Sequence, residues 1–349
     1  MVYSHSDLIQ FAREVLSKAG LNADKASVVA QTLVEADLMG HNTHGLHLLP
    51  AYAQEAADGK MRHDGEPTVV SDRGSVVVWD GNYLPGPWLV HKAIDTLLER
   101  IALHPVGTLV IRRSHHIGCL AAYPERVARQ GLMMLLSSSD PRVKSVAPFG
   151  GADPVYTPNP IAGGIPLKGE PVIFDISMST TSNGFVLRTR EEGKRLPHPW
   201  LLTPDGKTTD DPNAFVQDPP ATILPLGGMD TGYKGFALGI LVEALTSGLA
   251  GFGRADSPDQ WGASVFLQIL DPNAFGGRES FESQMRFLVD ACLASRPIGS
   301  PVRMPGTRAL KLRDEQKKSG VALYPTIPGA LKACGDAYAI AFPDPLSGE

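Results

Sequence analysis

Apolar residues along the chain change their spacing in a way that separates helices from strands. After Ser6, residues Leu8, Ile9, Phe11, Ala12, Val15 and Leu16 recur at helical spacing until Gly20. Ser6 is the expected cap of this helix. A second helix is predicted over Ala23 to Met39, with Ala26, Val29, Ala30, Leu33 and Val34 on one face and Gly40 closing its end. A third is predicted to start after Gly45 and to run through Leu46, Leu49 and Tyr52 as far as about Gln54. Beyond this helical block, Thr68–Val70 and Ser75–Trp79 read as strands around the turn Ser71–Gly74, and Trp88 to Leu103 reads as a helix. The β-branched run Val106 to Arg112 reads as a buried strand, as do Leu132–Leu136 and Val172–Ile176, with a helix over Tyr123–Gln130. Strand, polar turn, helix and strand in succession predict an α/β core.

The remaining pattern is less regular. Ala147 to Pro166 is dense in Gly and Pro and reads as a loop. Arg188 to Pro220 is long, polar and rich in Pro, Asp and Thr, which predicts a lid or a dimer arm. Gly232 to Gly248 reads as a helix, Ala263–Leu270 as a strand and Phe281–Ala294 as a helix, and the chain from Arg296 onward reads as loop.

Composition narrows the class. A chain of 349 residues can hold two domains or one large interwoven one. The net charge of -5, with no basic block, argues against nucleic acid as a main partner. Gly (36) and Pro (29) are abundant enough to predict a loop-rich globular protein. Cys119, Cys292 and Cys334 have no CxxC spacing, which fits reduced thiols and a cytoplasmic location. No apolar run approaches ~18 residues, so no membrane span is predicted, and MVYSHSDLIQ lacks the features of a signal peptide.

Missing motifs matter as much as those present. The chain contains no GxGxxG, no GxxxxGK[ST] and no GxSxG, which disfavours Rossmann binding, P-loop chemistry and the hydrolase elbow. ADLMGHNTHGLHLLPAY (36–52) instead places Thr43 and His44 at the mouth of a helix, where unpaired N–H groups favour an anion. His116 follows a buried strand in SHHIG (114–118). Two histidines converging on one pocket would suit proton exchange with a hydroxyl or carbonyl. Asp175 ends a strand, where its carboxylate can bind a ribose hydroxyl; Ser138 and Ser139 can donate to a cofactor; Lys234 can pair with a cofactor phosphate. Each has a plainer reading as a cap, a turn residue or an exposed cation. His115 is expected to be a structural neighbour of His116. A rival chemistry makes His41, His44 and His47 with Asp37, or His115 and His116, ligands of a metal-dependent hydrolase or lyase; His41 and His44 share a helical face only if the helix is unbroken across Gly40 and Asn42. Another rival is a cofactor-binding protein without catalysis.

ADLMGHNTHG (36–45), SHHIG (114–118), VAPFGG (146–151), NPIAGGIP (159–166), FDIS (174–177), TPDGKTTDDP (203–212) and LPLGGMDTGYKGFALGILVEAL (224–245) occur together in this order. In this the chain resembles the malate/L-lactate dehydrogenase-like oxidoreductases, which include L-sulfolactate and ureidoglycolate dehydrogenases and Δ1-piperideine-2-carboxylate reductase. The resemblance implies an α/β, non-Rossmann nicotinamide-binding fold of the L-sulfolactate dehydrogenase type: a mixed sheet with flanking helices plus an N-terminal helical region. It implies a homodimer. Residues 1–110 with 290–349 would form a helical substrate and dimerisation domain, and 111–289 the cofactor domain. The activity implied is NAD- or NADP-dependent hydride transfer to or from a small 2-oxo or 2-hydroxy acid, with reduction of a cyclic imino acid as the alternative. Thr43, His44 and His116 would be catalytic. Ser139, Asp175, Ile176, Ser177, Lys234 and, more weakly, Arg308 of PGTR (305–308) would meet the cofactor. Position 43 carries Thr where the family usually has Ser, which keeps the hydroxyl. Position 47 carries His where the family commonly has an arginine for the substrate carboxylate, so His47 would take that role with a shorter, only partly charged group.

Overall fold

The computed structural model describes residues 1–346, so the last three residues of the expected 290–349 segment lie outside the described residues. A short strand β1 (Val2–Tyr3) leads into α1 (His5–Lys18) and α2 (Ala23–Leu38). The cap of α1 is Ser4 rather than Ser6: Ser4 is extended and its hydroxyl accepts from the Asp7 N–H, whereas Ser6 already lies inside the helix. After a 3-10 turn over Leu46–Leu48 comes α3 (Leu49–Ala57). The chain continues through β2 (Thr68–Asp72), β3 (Val76–Asp80), α4 (Gly86–Arg100), β4 (Val106–Ser114), α5 (Pro124–Ala128), β5 (Met133–Ser139), β6 (Ile161–Ile165) and β7 (Val172–Ile176). Then follow α6 (Asn183–Glu191), the short strands β8 (Leu201–Leu202), β9 (Thr208–Thr209) and β10 (Thr222–Ile223), and α7 (Gly228–Glu243). The last elements are β11 (Ala263–Leu270), α8 (Arg278–Leu293), α9 (Thr307–Ser319), β12 (Val321–Ala322) and α10 (Ile327–Ala337).

Seven strands form one mixed sheet in the order β2-β3-β4-β11-β5-β6-β7. Only the β3–β4 pair is parallel. The late strand β11 enters between β4 and β5, antiparallel to both, with Leu267 opposite Leu109 on one side and Leu136 on the other. Its beginning therefore meets the ends of its neighbours: Ala263 pairs with Ser114 and Ser264 with Ser139. Three distant segments, 114–118, 138–143 and 260–263, are thereby gathered at one end of the central strands.

Two apolar cores flank this arrangement. Leu89, Val90 and Ile94 of α4 pack with Val77, Leu109, Leu136 and Leu267 of the sheet. The N-terminal helices bury Leu8, Leu16, Leu33 and Tyr52 together with Ile327 and Leu331 of α10.

Residue 110, where the boundary between the two expected domains is drawn, lies within β4, which is hydrogen-bonded to β3 and β11. Two expectations change. The segment from Arg188 to Pro220 folds into the end of α6 and the strands β8 and β9, which with β10 just beyond it form a three-stranded sheet in the order β10-β8-β9 beside a core that includes Leu196, Leu201, Ala214 and Ala221. Only isolated apolar residues anchor it, so no periodicity announced it. The region after Arg296 contains α9 and α10 rather than loop alone. α9 shows few apolar positions because most of it faces water, with Leu310, Arg313 and Gln316 buried. Arg313 is held by Glu125 of α5 and Glu35 of α2, ion pairs that a hydropathy pattern cannot register.

Candidate active site

The turn between α2 and α3 is built on a buried carboxylate. Asp37 is fully buried, and its Oδ2 accepts the Leu46 N–H at 2.7 Å, while Oδ1 has no partner among the described residues. A Cβ on Gly45 would lie 2.4 Å from this carboxylate, which explains the glycine. Burial pushes the Asp37 carboxyl from 3.8 up to about 7. Between those values the folded state binds more protons than the unfolded chain. The resulting stability is fully present below pH 3.8 and is lost as the pH rises through about 7. Unfolding free energies from urea titrations between pH 5 and about 7 should therefore fall more steeply in the native protein than in Asp37→Asn, by up to ~1.4 kcal/mol per pH unit. Parallel curves would show that Asp37 is ionised throughout.

The turn presents Thr43 and His44. The Thr43 hydroxyl lies 2.9 Å from His44 Nδ1, and donation from that hydroxyl selects the ring tautomer with its N–H on Nε2. Burial, with His41 and His47 nearby, lowers His44 to about 4, so it is a neutral donor near pH 7.

The second histidine comes from the end of β4. Asp80 of β3 holds Arg112 Nε and Arg113 Nε, each at 2.9 Å, just before Ser114. His116 Nδ1 lies 2.7 Å from the Tyr52 hydroxyl, which also donates to the His116 carbonyl at 3.1 Å, and the Gly118 N–H points at Nδ1 from 3.3 Å. The Tyr52 hydroxyl can donate to Nδ1, or it can turn to the carbonyl and accept from Nδ1–H. In the first arrangement the neutral ring carries its proton on Nε2 and can only donate there; in the second Nε2 is unprotonated and can act as a base, and it has no hydrogen-bond partner among the described residues. The ring lies nearly parallel to Trp261 at 5.0 Å and to His44 at 6.0 Å. Burial, His44 and His115 push His116 well below 6.5. His115 turns inward, fully buried, with Nε2 3.4 Å from Glu55.

His116 and His44 line one cavity of about 500 Å³, together with Thr43, His47, Ser138, Asp140, Asp175, Ser177, Asn183 and Trp261. A smaller one of about 390 Å³ is lined by Ile173, Asp175, Ile176, Gly306 and Arg308. His41 and Asp175 border both, so the two form one elongated cleft. Asp175 Oδ2 accepts the Ala121 N–H at 2.9 Å, and burial raises its pKa. The N-terminus of α6 opens onto the larger cavity, and the buried Asn183 Oδ1 there has no partner among the described residues. Both volumes are of ligand-site size.

Two expected cofactor residues lie elsewhere. Side chains alternate along β5, so Ser138 faces the cavity while Ser139 points away and donates to Glu243 at 2.7 Å. Lys234 lies on the exposed side of α7 and does not line the cleft. The inward side of that helix is Gly232, Gly235 and Gly239, packed on Phe149, Leu226 and Tyr156. The histidines at 41, 44 and 47 do not form a ligand set: among the described residues no three His, Cys, Asp or Glu side chains could hold a metal. The helix ends at Leu38, and Gly40 (φ 82°) breaks the helical face that such a set requires.

Sequence reasoning missed Tyr52, Trp261, Asn183 and Asp140 as site residues. Tyr52 sits at a helical core position, and Trp261 reaches His116 only through the placement of β11. The polar SSSDP turn at the end of β5 was the one available signal for Asp140.

The profile of the malate/L-lactate dehydrogenase family matches residues 3–332. The chain is 32% identical over 313 residues to the (2R)-3-sulfolactate dehydrogenase (NADP(+)) of Chromohalobacter salexigens, covering 87% of this chain and 89% of that protein. It is 32% identical over 271 residues to the L-lactate dehydrogenase of Cupriavidus necator, covering 75% and 76%. A dehydrogenase structure from Sinorhizobium meliloti superimposes with a TM-score of 0.84 at 30% identity, covering 96% and 98%. The malate dehydrogenase of Entamoeba histolytica shares the fold at a TM-score of 0.91 and 23% identity over 99% of both chains. With nearly its whole length inside the family profile, and with a cleft that joins two part-buried histidines to a strand-end carboxylate, the chain belongs to the malate/L-lactate dehydrogenase family.

Proposed function

We propose that this oxidoreductase interconverts a small 2-hydroxy acid and its 2-oxo acid, with NAD or NADP as partner. The observation that carries this reading is the pairing of His116, free at Nε2, with His44, a neutral donor, in one cavity. In the oxidising direction the neutral ring starts as the Nδ1–H tautomer, with the Tyr52 hydroxyl turned to the His116 carbonyl, and the substrate hydroxyl proton passes to the unprotonated Nε2. The ring then carries a proton on both nitrogens, and Nδ1–H donates to the Tyr52 oxygen. In the reducing direction Nε2 returns the proton to the substrate oxygen. His44 Nε2–H orients the oxygen or carboxylate, with Thr43 holding its tautomer, and His47 with the turn near Gly45 faces the carboxylate. Trp261 covers the His116 ring and limits its access to water.

Bound nicotinamide would supply the hydride acceptor or donor. The cleft fits such a dinucleotide: Asp175, Ile176 and Arg308 surround the smaller cavity, and Ser177 and Asn183 with its unpartnered oxygen face the larger one. Ser138 takes the part expected of Ser139. A homodimer belongs to the same reading. The half-exposed Met229, Tyr233, Ile240 and Leu241 of α7 are an apolar surface that a second copy would cover, and Lys234 lies beside them. A cytoplasmic location is supported by three cysteines that are all free, and among the described residues no helix is long and apolar enough to cross a membrane.

Titrating the purified protein with NADH and with NADPH, followed by nicotinamide fluorescence, tests the reading. Saturable binding of at least one is expected, and the tighter one identifies the cofactor. Binding of neither would overturn the proposal.

A further inference from the structure

The charge inventory of the larger cavity is unusual for a site that takes organic acids. Among the described residues lining it there is no lysine and no arginine. Its cationic potential lies in the imidazoles of His41, His44, His47 and His116, and it contains two carboxylates, Asp140 and Asp175. Asp175 borders the smaller cavity as well, so it stands at the junction of the two. Asp140 lines only the larger one, the cavity that holds His44, His116 and Trp261.

Asp140 is rigidly placed. It follows the last residue of β5, and its carboxylate accepts the Arg142 N–H at 2.9 Å. The turn behind it is fastened by Arg254, which donates to the Val143 carbonyl at 2.6 Å. Arg254 also binds Glu243 Oε1 through Nε at 3.0 Å and Nη2 at 2.8 Å, and the same oxygen accepts from Ser139 and from Asn159. The Arg254 charge is thus already matched by Glu243. Among the described residues Asp140 forms no salt bridge; Arg254 and Arg142 attract its charge only from the turn behind it, and no lysine or arginine meets it within the cavity. Burial raises its carboxyl only to about 6, which leaves it largely ionised at neutral pH.

A 2-oxo acid already brings one carboxylate to the histidines. A second anionic group at its far end would find no lysine or arginine in this cavity and would face Asp140, an arrangement of like charges in a partly desolvated site. A hydroxyl, amide or ammonium group there would find an acceptor instead. Resting on the function proposed above, we infer that Asp140 is a specificity-determining residue that selects monoanionic 2-oxo and 2-hydroxy acids, favours those with a hydrogen-bond donor at the far end, and rejects dianionic ones.

The test compares the full-length protein with Asp140→Asn and Asp140→Glu. Turnover of hydroxypyruvate, pyruvate and oxaloacetate is read at 340 nm with whichever reduced nicotinamide binds. Binding of oxamate (a monoanion) and of tartronate (a dianion) to the protein–nicotinamide complex is read by calorimetry. The native protein should favour hydroxypyruvate over oxaloacetate by at least about tenfold in kcat/KM. Asp140→Asn should shrink both the kinetic and the binding ratio by about tenfold, equivalent to about 1.4 kcal/mol. Asp140→Glu, which retains the charge, should keep the preference for the monoanion. A native preference for oxaloacetate, or ratios unmoved in Asp140→Asn, would overturn the inference, as would failure of both analogues to bind. If no oxo acid is turned over but the analogues bind with an Asp140-dependent ratio, the reaction proposed above fails and the inference about Asp140 stands. Turnover with a ratio indifferent to Asp140 is the converse.

Discussion

His116→Ala is expected to lower kcat/KM for the preferred hydroxy acid by about 10²–10⁴-fold, the range for removing a positioned general acid–base. Nicotinamide binding, measured by the same fluorescence titration, should change only a few-fold. The separation follows from the geometry: Nδ1 is committed to Tyr52, and Nε2 is the group left to exchange a proton with substrate. Since the ring also fills the space between His44 and Trp261, His116→Asn is the companion variant that keeps more of the packing. It should lose turnover to a similar degree. The pH profile offers an independent reading. Oxidation needs an unprotonated base, and burial holds His116 well below 6.5. The kcat/KM for oxidation should therefore stay flat as the pH falls through 6.5, where an ordinary histidine would already lose activity. Undiminished turnover in both variants would remove His116 from the mechanism.

Gly86→Ala should cost both stability and activity, although residue 86 touches no substrate. A Cβ there would lie 2.3 Å from the His115 carbonyl oxygen and 2.4 Å from that of His116. Both obstacles are backbone, so no side chain can swing aside. Either α4 or the 115–116 segment must shift. Overpacking of this kind costs about 1–3 kcal/mol or more, and a ~1 Å displacement of a catalytic group can cost ~10²-fold in rate. Thermal unfolding and kcat should therefore fall together. Gly329→Ala is the control: nothing lies within 4 Å of a Cβ there, and the site is helical, so that variant should be neutral or slightly stabilising. Equal behaviour of the two variants would mean that the approach of α4 to His116 is not a constraint.

The two positions show how unevenly the active site is written into the chain. His116 was legible because a buried strand delivers it within a motif. Gly86 was not, since nothing around PGPW announces that two carbonyl oxygens 29 and 30 residues further on will press against it. The strand end suits both Ser138 and Ser139 and the resemblance selects Ser139, but side chains alternate along β5, so Ser138 faces the cavity and Ser139 turns toward Glu243. Lys234 was assigned from its glycine-rich turn, but those glycines are the packed face, which leaves the lysine on the opposite side. In both cases the motif identified the segment and the direction of the side chain was decided by what the segment packs against.

What the sequence by itself determined is local and ordered along the chain: the helical N-terminal block, most strands of the main sheet, the turn carrying Thr43 and His44, the His116 strand end, and the run of motifs that marks the family. These are legible because apolar periodicity and turn chemistry act over a few residues. The tertiary structure alone decided that β11 enters the middle of the sheet, which sets Trp261 against His116 and puts Ser138 and Asp140 beside it. It also decided that Tyr52, a core residue by its spacing, serves His116, and that among the described residues Asp140 faces a cavity lined by no lysine or arginine. Pairing between strands more than a hundred residues apart depends on which surfaces bury each other, and no local pattern encodes it.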